Sequence, residues 1–139
     1  MSFRLAPRIA LSSIAALPLL AAHAVPAGAT ESIVCASEDK TASIDVLVGL
    51  GLDVISVSRV TLEARGKTWG TDAGGEQKIV VGQAFEDPDK ILLDVTDEGM
   101  AGIVASLRLF KASEGEDYVS GGTLRVTGVG AWAVTCSGP

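Results

Sequence analysis

The chain has 139 residues, with 17 Asp and Glu against 11 Lys and Arg, and a formal net charge of −6 at pH 7. A field of that sign repels nucleic acid and anionic membrane surfaces and favours a cationic protein as partner. A single histidine, His23, and two cysteines, Cys35 and Cys136, leave little material for metal sites or histidine-based catalysis.

The N-terminal stretch carries Arg4 and Arg8, then an apolar run from Ile9 to Leu20 broken by Pro18, then Ala22-His23-Ala24. A basic start, a short apolar centre and a small-x-small end predict a cleavable secretory signal over residues 1–24. Ala27-Gly28-Ala29 offers an alternative cleavage after residue 29. The run is shorter than the roughly 18 residues a membrane span needs. Val34 before Cys35 does not fit a lipid-attachment site, and there is no twin-arginine pair. The expectation is therefore a mature chain with no membrane anchor, periplasmic or secreted. It has lost His23 and carries a net charge of about −8, since nine basic residues then face 17 acidic ones. Without that histidine, a Ser-His-Asp triad and a His-ligated zinc are both ruled out. The chain contains no asparagine, so it has no N-glycosylation acceptor. The same bias, with abundant Ala, Gly, Val and Asp, suggests a GC-rich bacterial genome.

From residue 30 onward, glycines and acidic turns cut the chain into short segments rich in Val, Ile, Leu and Thr. Ile33 and Cys35 share one face of a first strand. Ala42, Ile44, Val46 and Val48 alternate with Thr41, Ser43, Asp45 and Leu47, the period of a half-buried strand. Gly49-Leu50-Gly51 reads as a turn. Ile55 and Val57 alternate with serines, but Val60, Leu62 and Ala64 continue in the opposite phase, which predicts a bulge near Ser58-Arg59. Arg65-Gly66-Lys67 reads as a hairpin turn into Thr68-Trp69, followed by a loop over Asp72–Gly75.

Lys78–Phe85 reads as a strand with Ile79, Val81 and Phe85 on one face, and Glu86-Asp87-Pro88-Asp89 as a turn. Ile91, Leu93 and Val95 mark the next strand, and Asp97–Gly102 a capped helical turn. Val104–Ala112 returns to alternation, with Ala105, Leu107 and Leu109 opposite Ser106 and Arg108. Tyr118-Val119, Leu124–Val126 and Ala131–Cys136 follow the acidic turn Ser113–Asp117. Consecutive short strands with turn signals every 8–12 residues or so predict a single all-β domain over residues 30–139. Its architecture is an antiparallel sandwich or a small closed barrel of about eight strands. A disulfide between Cys35 and Cys136 would join the first and last strands, since an oxidising compartment makes a structural bridge the default for an isolated pair.

The remaining chemistry lies in acids and aromatics. Glu86, Asp87 and Asp89 cluster on one turn, and Asp94, Asp97 and Glu98 around the next. Paired carboxylates can serve as acid and base in a small hydrolase, and their oxygens can bind calcium, but no EF-hand spacing is present. Solvated turns are the simpler reading. No catalytic residue, metal ligand or cofactor is therefore assigned. Trp69, beside the Gly66-Lys67 turn, is a candidate exposed anchor or a cover for one barrel end, and Trp132 reads as core. The candidate binding loop is Ser113, Glu114, Gly115, Glu116, Asp117 and Tyr118, an acidic turn ending in tyrosine.

That loop, together with the size, charge and expected compartment, resembles the periplasmic lysozyme inhibitors. These are small exported β-barrels that insert a Ser/Gly-containing loop with a tyrosine into a cationic enzyme. The Ser-Gly repeat and lysine-bearing motif of those inhibitors are not matched. The expected role is a non-catalytic protein- or ligand-binding module. An inhibitor of a cationic envelope enzyme is the sharper version, and a small carboxylate-based hydrolase the alternative.

Overall fold

The computed structural model describes residues 30–49, 55–72 and 74–138. The expected signal segment, and the turn at Gly49-Leu50-Gly51 from Leu50 on, lie outside these residues. Nine strands follow one another around a closed barrel: β1 (Thr30–Ser37), β2 (Ala42–Gly49), β3 (Ser56–Ala64), β4 (Lys67–Gly70), β5 (Gln77–Glu86), β6 (Lys90–Asp97), β7 (Ile103–Glu114), β8 (Asp117–Val126) and β9 (Gly130–Ser137). Strand β9 pairs back onto β1, which decides between barrel and sandwich in favour of the barrel.

The alternating side chains make the core. Ala42, Ile44, Val46 and Val48 of β2, Ile91, Leu93 and Val95 of β6, and Ala105, Leu107 and Leu109 of β7 all point inward and are at most 3% exposed. Each fully buried Val, Ile or Leu side chain of this kind contributes about 1.5–3 kcal/mol.

Three bulges adjust which face stays buried. Ser58 is the extra residue between Val57 and Arg59 against β2, so Val57 packs on the core and Val60 is buried in spite of the phase slip. This bears out the bulge expected at Ser58-Arg59. Gly82 is a second, with Val81 facing Val95 and Gln83 facing Asp94. It reverses the phase of β5, so that Ala84 packs on the core and Phe85 turns outward, 43% exposed. The expectation that Phe85 shares a face with Ile79 and Val81 is thereby corrected. A Cβ at Gly82 would lie 2.8 Å from the Thr96 methyl, so a side chain at this bulge is sterically penalised. Val104 is the third extra residue, between Ile103 and Ala105.

The pairing is antiparallel except between β4 and β5, where Trp69 faces Gln77 and Gly70 faces Lys78 in parallel. A parallel neighbour after so short a connection is not expected from strand order alone. Two glycines permit it. A Cβ on Gly75 would lie 2.2 Å from the Gly70 nitrogen and 2.3 Å from the Trp69 carbonyl carbon, so only a glycine lets the returning chain lie on the β4 backbone. The Thr71 N–H donates to the Val60 carbonyl at 3.0 Å and holds the start of that return.

The connections follow local chemistry. Arg65 (φ 49°) and Gly66 (φ 76°) both have positive φ, as a two-residue type I′ hairpin requires. The expected helical turn at Asp97–Gly102 is instead a hairpin connection. The Met100 N–H donates to the Asp97 carbonyl at 2.9 Å, and the Ala101 N–H to Asp97 Oδ1 at 3.0 Å. Asp97 thus offers the backbone an alternative to helical bonding, and Gly99 and Gly102 weaken the helix further.

Cys35 and Cys136 sit opposite one another in the β1–β9 ladder and form a disulfide. Cys35 is fully buried beside Ile33; on the same face of β9, Val134 belongs to the core and Cys136 and Trp132 are partly buried against it. Trp69 takes the buried one of its two expected places, and Trp132, expected in the core, is partly buried against it. Trp69 is 5% exposed and belongs to the core, which removes it as an exposed anchor, because its register places it opposite the buried Leu62 of β3 on the inward face. Trp132 sits half-buried at the same barrel end. Its Nε1 donates to Thr41 Oγ1 at 2.9 Å, and the Arg65 guanidinium lies 5.8 Å from its ring centroid.

Two outcomes follow. Replacing both cysteines by serine opens a loop of 101 residues. It should lower unfolding stability by about 2–5 kcal/mol in denaturant titration. Gly75→Ala should cost about 2 kcal/mol or more and change the near-ultraviolet circular dichroism of Trp69. An unchanged spectrum and midpoint would contradict the close approach at Gly70.

Candidate functional site

Strand direction places the β5–β6 and β7–β8 turns at the barrel end opposite the two tryptophans. At that end β7 and β8 outrun their neighbours. The β6 register ends with Lys90 opposite Phe110, and the β9 register with β8 at Cys136 opposite Ser120. Beyond those positions Ala112 pairs with Val119, Ser113 with Tyr118 and Glu114 with Asp117. The result is a two-stranded ribbon projecting from the wall, with Gly115 (φ 62°) at its turn. Every residue from Ala112 to Val119 is exposed. The Lys111 N–H donates to the Asp89 carbonyl at 2.8 Å and ties the root of the ribbon to the β5–β6 turn.

The sheet's alternation divides the ribbon into two faces. Leu109 and Ser120 point inward and are buried, so Phe110, Ala112 and Val119 point outward. Phe110 is 68% exposed and Val119 67%. Leu92 and Phe85 continue this outer face on β6 and β5, with the Lys90 ammonium 5.9 Å from the Phe85 ring centroid. The other face carries Lys111, Ser113 and Tyr118. With Pro88, Asp89 and Ala112 these line an open cavity of about 310 Å³.

The two lysines of this end are already engaged. Lys111 Nζ lies 2.7 Å from Glu86 Oε1 with its side chain 11% exposed, and Lys90 Nζ lies 3.3 Å from Asp87 Oδ2. Asp87 also accepts the N–H groups of Asp89 at 2.9 Å and Lys90 at 2.8 Å. Partial desolvation pushes its pKa up, but these N–H groups and the Lys90 ammonium outweigh that and hold it below the ordinary carboxylate value. Among the described residues, Asp89, Glu114, Glu116 and Asp117 have no ion-pair partner. The projecting end therefore carries uncompensated negative charge beside exposed apolar side chains.

The candidate loop Ser113–Tyr118 forms the tip and inner face of this ribbon. The other acidic residues do not gather with it in one cleft. Asp94 lies on the outer wall of β6 in a two-pronged contact with Arg108, Nη2 to Oδ1 at 2.7 Å and to Oδ2 at 3.0 Å. Asp97 organises the β6–β7 connection at the tryptophan end, where Glu98 lies 3.1 Å from Lys78. Among the described residues, no three His, Cys, Asp or Glu side chains are placed to hold a metal ion. Sequence reading missed Phe110 and Val119. The signal available was parity, since a Phe beside the inward Leu109 must face out.

At the tryptophan end, Asp39 closes the β1–β2 turn. It accepts the Ser37 hydroxyl at 2.6 Å and the Thr41 N–H at 3.0 Å. The Ser37 bond first, then those from Thr41, holds its pKa below the ordinary carboxylate value. Asp39 and Asp87 thus both titrate lower in the folded chain than in the unfolded one. Their contribution is complete above the unfolded value near pH 4 and is lost as pH falls through the folded value. Thermal unfolding followed from pH 6 to pH 2.5 should show this acid loss. Replacing both aspartates by alanine should flatten it, and an equally steep loss in that variant would contradict the assignment.

The chain matches no family model, and no curated protein or solved structure is significantly similar to it.

Proposed function

We propose that this protein is an exported, non-catalytic binding module that docks a cationic protein through the β7–β8 ribbon. The observation that carries the reading is the projecting ribbon itself, with Asp89, Glu114, Glu116 and Asp117 unpaired among the described residues at the end where both lysines are engaged. Uncompensated charge on a projecting element steers an oppositely charged partner and raises its association rate. Export is supported by the pattern of residues 1–24. The Cys35–Cys136 disulfide is consistent with an oxidising extracellular compartment. The sharper version is an inhibitor that inserts this ribbon into the active-site cleft of a basic envelope enzyme, in the manner of the lysozyme inhibitors it resembles. The carboxylate-hydrolase alternative draws no support from the acids, because Glu86, Asp87 and Asp89 sit at one barrel end and Asp97 and Glu98 at the other.

Purified protein lacking residues 1–29 should bind lysozyme at low ionic strength and release it progressively between 50 and 500 mM salt (a range of about a threefold change in Debye length). Neutralising the tip with Glu114→Gln, Glu116→Gln and Asp117→Asn should weaken binding roughly tenfold at low salt. Binding without any reduction in lysozyme turnover would remove the inhibitor version. Binding that ignores both salt and the tip variant would contradict electrostatic docking.

A further inference from the structure

We infer that the outer apolar face of the ribbon, Phe110 with Val119 and Ala112, is the anchor of this docking, and that the partner presents an apolar pocket ringed by lysine or arginine. The inference rests on the proposed binding role and names the chemistry of the partner.

Position on the barrel makes the case. Phe110 and Val119 are diagonal neighbours on one outward face, since Phe110 pairs with Gly121 and Val119 lies two residues before it. Glycine at 121 leaves the β8 side of the Phe110 ring without a cross-strand side chain, while on the β6 side its partner is Lys90, already held by Asp87. Folding gains little from either residue, because Phe110 is 68% and Val119 67% exposed while Leu109 and Ser120 beside them are buried. An outward aromatic with an open face, on an element that projects past its neighbours, has the form of a binding hot spot surrounded by weaker polar contacts. The surrounding charge selects the occupant. The face lies within a few residues of Glu114, Glu116 and Asp117 on the ribbon. Two copies of this chain meeting through it would bring like charges together, whereas a basic rim around an apolar pocket complements both features at once. The two parts should divide the kinetics, with the acidic tip setting the salt-dependent association rate and the apolar face the residence time.

The test is surface-bound lysozyme with the soluble protein as analyte, comparing the unsubstituted chain, Phe110→Ser, Val119→Ser, the neutralised tip and Met100→Ser. Met100 is equally exposed, at 68%, but sits at the opposite end. Phe110→Ser should raise the dissociation rate about tenfold or more and leave the association rate and its salt dependence unchanged. Val119→Ser should act in the same direction, and Met100→Ser should do nothing. Thermal unfolding of Phe110→Ser should match the parent, which separates a docking role from a structural one. If the tip variant weakens binding but Phe110→Ser leaves dissociation unchanged, the apolar anchor is overturned and the electrostatic docking survives. If the unsubstituted chain does not bind lysozyme at low salt, the lysozyme-directed reading and the anchor fall together. Self-association that grows with salt and disappears in Phe110→Ser would overturn the anchor by giving the face to a second copy.

Discussion

Closure of the wall between β1 and β9 is the constraint on which the remaining geometry depends. That ladder has four residue pairs, and the Cys35–Cys136 bridge lies within it. An open sheet of this length would leave two edges of unpaired backbone groups, and closure removes them. It also places Ile33 and Cys35 of the first strand and Val134 of the last in one core with the residues of β2, β6 and β7. A covalent tie between segments 101 residues apart restricts the unfolded chain more than a short bridge would. For a domain of little more than a hundred residues, that restriction is a large fraction of the 5–15 kcal/mol or so by which such domains are stable.

A closed wall is also what makes a projecting ribbon useful. Strands β7 and β8 are the most extensively paired couple, ten residue pairs long, and their inner halves are clamped by β6 and β9. The outer halves then extend from a fixed base, with the Lys111 N–H bonded to Asp89 and its ammonium bonded to Glu86. A recognition element built on clamped strands loses less conformational freedom on binding than a long free loop would. The separation of tasks is spatial. One barrel end carries Trp69 in the core and Trp132 bonded to Thr41 with Arg65 over its ring. The other end carries the turns with Glu86, Asp87 and Asp89 and with Glu114, Glu116 and Asp117, beside the outward Phe110 and Val119.

Much of the barrel was legible in the sequence because its determinants are local. Period-two alternation identified the inward faces of β2, β6 and β7, and the phase slip between Val57 and Val60 located the Ser58 bulge. Gly66 announced its turn because glycine adopts positive φ at no steric cost, whereas Arg65 at φ 49° gave no such signal. What escaped was set by distant partners. The Gly82 bulge shows no phase slip readable without knowing that Ala84 faces the core. The parallel β4–β5 pair depends on Gly75 meeting Gly70. The burial of Trp69 depends on its register opposite the inward Leu62 of β3. The candidate loop was found by its composition, but its projection was not, because that is a difference in length between four strands whose registers are fixed only in the closed wall.

Native-state hydrogen exchange tests the central claim most directly, namely that the wall is closed at β1–β9 and that the ribbon stands outside the cooperative core. The account predicts that hydrogen-bonded amides of Val34–Ser37 and Val134–Ser137 exchange as slowly as those of the buried stretches of β6 and β7, through global unfolding, while amides of Ala112–Val119 exchange orders of magnitude faster. Exchange of the β1–β9 amides at the rate of the ribbon would contradict it, because the first and last strands would then be fraying edges and the wall would not be closed.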